Sequence, residues 1–138
     1  VSHPNVLSTL MHLAVHHCFT PRTVQDSMMA LGALLPELDT FQKRSLCLAI
    51  KELMTRTTEL ETLAAAMALI LRVINTESDA CDTSATESKQ SQMRRFMAEH
   101  QIPQLIAIAL DHFGDVDAVL RSVGSEALRA LVISKLRQ

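Results

Sequence analysis

The stretch Leu63-Ala64-Ala65-Ala66-Met67-Ala68-Leu69-Ile70-Leu71 is apolar at all nine positions. Residues of this kind favour helix, and a helix with such a run has no polar side to turn to water. It belongs at the centre of a helical assembly, covered by neighbours on several sides. The run is less than half the length of a membrane span, which takes about 20 apolar residues. Upstream, Thr58 and Glu61 have the spacing of a capping box, in which each side chain satisfies a free backbone N–H. A helix is therefore predicted from about residue 58 to Ile74.

Working outward, the same logic predicts three helices before this one. The first covers about Asn5 to Phe19. The second opens at Thr20-Pro21, where proline's missing N–H costs nothing, and closes at Pro36. The third is capped by Asp39 or Thr40 and carries Phe41, Leu46, Leu48, Ile50 and Leu53. Beyond the central helix, about 76–92 is nearly free of apolar residues, so it reads as a flexible, solvent-exposed insertion. Helical signal resumes near Met93 and covers Arg94 to His100. Pro103 opens a further helix to Phe113, with Gly114 as its C-terminal cap. The last helix spans about Val116 to Leu136, with a kink or break expected at Gly124-Ser125.

Composition supports this reading. The chain has 138 residues, 48% hydrophobic and 20% charged, with three Gly and four Pro. So few turn-formers argue against an all-β fold. With four Phe and neither Tyr nor Trp, the core must be built from aliphatic residues and the seven Met. The net charge of −2 gives no global attraction to nucleic acid or to an anionic membrane. Three unspaced cysteines, Cys18, Cys47 and Cys81, fit reduced thiols inside a cell better than a secreted disulfide framework. The N-terminus lacks signal-peptide character, and a start at Val1 reads as a fragment cut from a longer chain. The expected setting is intracellular, cytoplasm or nucleus.

Internal repetition suggests an architecture. Ala30-Leu31-Gly32-Ala33-Leu34-Leu35, Ala68-Leu69-Ile70-Leu71-Arg72-Val73 and Ala127-Leu128-Arg129-Ala130-Leu131-Val132 each open on Ala-Leu near the end of a helix. The first two start 38 residues apart, and removing the polar insertion brings the third to nearly the same period. Paired helices repeating at about 40 residues are the signature of a solenoid. The segments Ile102-Pro103-Gln104-Leu105-Ile106 and Gly124-Ser125-Glu126-Ala127-Leu128-Arg129-Ala130-Leu131 resemble an armadillo or HEAT repeat, mainly over residues 102–132. Gln101 stands where that family usually has a glycine. The resemblance implies an all-α stack of about three helical pairs forming one domain over 1–138, with a protein-binding scaffold role and no catalytic residues to carry over. The alternative architecture is a compact bundle of six or seven helices.

Candidate chemistry is sparse. His12 and His16 lie one helical turn apart with His17 and Cys18 beside them, yet no third or fourth ligand has metal spacing. They read as helix-surface or interface histidines. Cys47, between Leu46 and Leu48, reads as a small buried hydrophobe with no base at hand. Three isolated glycines form no phosphate loop. The expectation is a non-enzymatic module without cofactor or metal, binding a partner helix or peptide in a groove between helices. A second reading is nucleic-acid or phosphate binding by C-terminal basic residues. Arg94, Arg95, Arg121, Arg129 and Lys135 are the candidate partner-binding residues, and Ser78, Thr83 and Ser84 the candidate modification sites. Ser88 and Ser91 belong to the same Ser/Thr-rich stretch.

Overall fold

A computed structural model describes residues 21–57, 59–77 and 88–136, with side chains at 21, 23, 24 and 133–136 left aside. The described elements are all helical: α1 (Pro21–Leu34), a 3-10 turn (Leu35–Glu37), α2 (Thr40–Arg56), α3 (Leu60–Thr76), α4 (Lys89–Glu99), α5 (Ile102–Phe113) and α6 (Ala118–Leu136). The predicted helix before Pro21 lies outside the described residues.

The nine-residue apolar run sits in the middle of α3, and α3 packs against each of the other five described helices. Its Leu63, Ala66, Met67, Leu69, Ile70, Val73 and Ile74 are buried, while Glu61, Arg72 and Asn75 face solvent. Burying a Leu- or Ile-sized side chain contributes about 1.5–3 kcal/mol. The centrality read from the sequence therefore has a direct energetic cause.

Helix ends show where local chemistry succeeded and where it did not. Asp39 is the N-cap of α2: its Oδ1 accepts from Gln42 N–H at 2.7 Å, and its own N–H donates to Gln42 Oε1 at 3.0 Å, a complete capping box. Pro36 closes α1 by drawing its last turn into the 3-10 segment. Of the box expected from Thr58 and Glu61, Thr58 lies outside the described residues. Glu59 is the N-cap of α3 and makes no side-chain cap, which puts Glu61 at the second helical position, too early to reach back. Glu61 instead accepts a hydrogen bond from Gln25 Nε2 of α1 at 3.0 Å.

Three expectations near the C-terminal half need correction. Helix α4 begins at Lys89, not at Met93, because Ser88 caps it by accepting from Ser91 N–H at 3.1 Å. The insertion read at 76–92 is shorter accordingly, and Ser88 is a buried cap, not an exposed modification site. Helix α6 runs without a break through Gly124-Ser125. Gly124 is there for close approach: a Cβ on it would lie 2.7 Å from Leu110 Cδ2 and 3.0 Å from Met67 Sδ, so α3, α5 and α6 meet at this point. Gly114 does follow α5 as its C-cap, in right-handed geometry.

The left-handed conformation falls on Gln101, at φ 65° and ψ 24°, between α4 and α5. This is the position where the resembled repeats usually carry glycine. A non-glycine residue here costs about 1 kcal/mol or more. The repeated hexapeptides also differ in register. Leu31 and Leu35 of the first copy match Leu69 and Val73 of the second in burial, whereas the third buries Ala127 and Leu131, one position earlier.

Candidate functional site

The basic candidates fall on two helices, Arg94 and Arg95 on α4 and Arg121, Arg129 and Lys135 on α6. Arg94 is half-buried on α4, and its Nη2 donates to Gln90 Oε1 at 2.7 Å. Gln90 in turn donates from Nε2 to the Ile74 carbonyl at 3.1 Å, so Arg94 serves the junction of α4 with the end of α3. Arg95 is exposed, about 100° further round the helix. Arg121 and Arg129 are exposed on α6, eight residues apart and so on roughly one side. Arg121 Nη1 reaches back to the Gly114 carbonyl at 3.4 Å. Lys135 lies in α6 with its side chain outside the described residues. Ser78, Thr83, Ser84, Cys81, Cys18 and the histidines His12, His16 and His17 also lie outside them.

A buried polar junction was not anticipated. Lys43 Nζ on α2 lies 2.7 Å from Glu77 Oε1, just after α3, with side chains 8% and 3% exposed. Lys43 Nζ is also 3.5 Å from the Thr76 carbonyl. One turn along α2, Cys47 is fully buried, and burial followed by the nearby Glu77 charge pushes its thiol up to about 12. Such a thiol is neutral and inert at physiological pH, as expected for a cysteine acting as a hydrophobe. Between α2 and α4, the Arg44 guanidinium lies 5.2 Å from the centroid of the Phe96 ring. The role of this junction is structural, since it ties the C-terminal end of α3 to α2 and α4.

Among the described residues, an open surface lies between α1 and α3. Gln25 contacts Glu61 near the start of both helices, and Gly32 lies against the Arg72 guanidinium near their ends. The two helices therefore run parallel. Between these end contacts lies a groove of about 230 Å³, walled by Met28 and Met29 of α1 and by Ala65, Ala68 and Leu69 of α3. Met29 is 72% exposed, a large apolar side chain left in water. Pockets for small molecules usually run to about 300–1,000 Å³ and enclose their ligand. This one is smaller and partly open to solvent.

Sequence reasoning expected docking on helix faces around the second helices of the pairs and around the C-terminal pair, without naming the residues of a groove. The usable signal was spacing: Gln25, Met28, Met29 and Gly32 recur at three and four residues, as do Glu61, Ala65, Ala68 and Arg72. Each set is one helix face with small or flexible residues in the middle; the α3 set is charged at both ends, and the α1 set runs from polar Gln25 to Gly32.

No family model, curated protein or solved structure matches this chain. No described helix is long and apolar enough to cross a membrane.

Proposed function

We propose that this chain is a non-enzymatic protein-interaction module, one section of a larger intracellular scaffold or adaptor of armadillo or HEAT type. It holds a partner helix or peptide in the groove between α1 and α3. The observation that supports this reading is the groove itself, with exposed Met29 on one wall and small Ala65 and Ala68 on the other. Methionine walls adapt to different apolar side chains, and alanines leave depth for them. The reading through basic residues draws less support, since Arg94 is committed to Gln90 and the end of α3.

Affinity capture with two groove variants tests the proposal. Ala68→Phe fills the groove, and Met29→Ser removes its adaptable wall at an exposed position. Proteins retained by the unmodified chain at low and moderate salt, and lost with both variants, are the expected result. Equal retention by all three baits would reject the groove as the docking surface. Material released by nuclease and by moderate salt would point to the basic residues instead.

A further inference from the structure

The geometry points to a specific class of occupant: an amphipathic partner helix lying antiparallel to α1 and α3, with an acidic first turn and a basic residue about three turns later. This rests on the groove reading above and adds polarity to it. Glu61, Ala65, Ala68 and Arg72 form one stripe along α3; Ala65, Ala68 and Arg72 line the groove, and Glu61 stands just beyond its other, N-terminal end, bonded to the lining Gln25. Arg72 stands at the C-terminal end, its guanidinium drawn over α1 where Gly32 has no side chain to obstruct it. Among the described residues no carboxylate forms an ion pair with Arg72. Eleven residues separate the two charges, about 16 Å along the axis.

A segment crossing this groove meets an acid at one end and a base at the other. Charge complementarity requires the reverse order on the occupant. Helix dipoles select the direction. A helix favours Asp or Glu in its first turn and Lys or Arg in its last. Only an antiparallel occupant puts its own first turn beside Arg72, so an acid there serves both its helix end and the ion pair. A base in its last turn does the same beside Glu61. The same dipole preference opposes the parallel orientation, which would need a basic first turn and an acidic last one. Between the charges, apolar residues spaced three and four apart would enter the space between Met29 and the two alanines.

Two synthetic helical peptides of about 16 residues test this, with capped termini and an identical apolar stripe. One carries Glu in its first turn and Lys in its last; the twin has these exchanged. Binding is read by fluorescence anisotropy on the whole chain, on Ala68→Phe, and on the doubly exchanged Glu61→Lys/Arg72→Glu variant. The acid-first peptide should bind about 5- to 10-fold more tightly at low salt, with the preference shrinking as salt rises. The exchanged variant should reverse the order, which a difference in peptide helicity alone cannot do. Both exchanged positions are exposed, and circular dichroism of the variant checks that it keeps its fold. If both peptides bind equally and Ala68→Phe weakens both, the groove reading stands and the directional inference falls. If neither peptide binds, or Ala68→Phe has no effect, the groove reading fails and takes the inference with it.

Discussion

Two sides of α3 use the same device to opposite ends. On one side Gly124 of α6 lets Leu110 and Met67 close over it, and the seam is filled by side chains from α5 and α3. On the other, Gly32 of α1 also lies against α3, but what crosses it is the flexible end of Arg72. The first contact is sealed and the second leaves a groove beside it. Missing side chains therefore do not decide whether an interface is closed. The neighbour does: branched apolar atoms fill the space, while a long charged side chain keeps its head toward water.

The sealed side should be by far the less tolerant. The largest loss is expected away from both glycines, at the buried Lys43–Glu77 pair between α2 and the end of α3, where Lys43→Ala leaves a carboxylate buried without its partner. We expect a loss of about 3–5 kcal/mol in urea unfolding. Replacing both residues by apolar ones of similar size should restore much of that loss, showing that the damage comes from the orphaned charge and not from missing volume.

Cys47 gives a pH-dependent measure of that junction, since Glu77 is its charged neighbour. Its thiol titrates near 9.0 in an unfolded chain and near 12 in the folded one. The folded state therefore holds the proton longer. The contribution is intact below about pH 9 and declines as pH rises toward 12, by about 1.4 kcal/mol for each unit. Comparison with Cys47→Ala isolates this slope from other titrating groups. An identical alkaline decline in both proteins would show that the thiol is open to water when folded.

The two glycines break the comparison most directly. Alanine in place of a mid-helix glycine gains about 0.5–1 kcal/mol from the backbone. At Gly124 the added methyl meets Leu110 and Met67 in a filled seam, and overpacking costs about 1–3 kcal/mol. A net loss near 1 kcal/mol is expected in thermal or urea unfolding. At Gly32 the obstacle is the far end of Arg72, which can move. Gly32→Ala should therefore stabilise by about 0.5 kcal/mol. Losses of equal size at both positions would mean that the α1 side is as tightly closed as the other.

Much of the fold was legible because it depended on neighbours in sequence. The all-apolar run predicted a central helix, Asp39 marked a helix start, and the Leu-Cys-Leu setting of Cys47 predicted burial. What stayed hidden depended on distant partners. Residues 89–92 read as loop because they are polar, yet Ser88 caps them and Gln90 bonds to the end of α3. The third Ala-Leu copy aligned well in letters but buries positions one residue out of step.

For the candidate site the division is sharper. The sequence alone determined that the described elements would be helices, that α3 would be enclosed, and that small residues would recur on helix faces, because helical periodicity and solvation act over one or two turns. Only tertiary structure decided that Lys43 would meet Glu77 thirty-four residues later, that Arg72 would cross Gly32, and that α1 and α3 would lie parallel with a groove left between them. Those outcomes turn on which surfaces face each other and how far apart they settle. Relative helix placement is a balance over the whole core, and no single stretch of the chain records it.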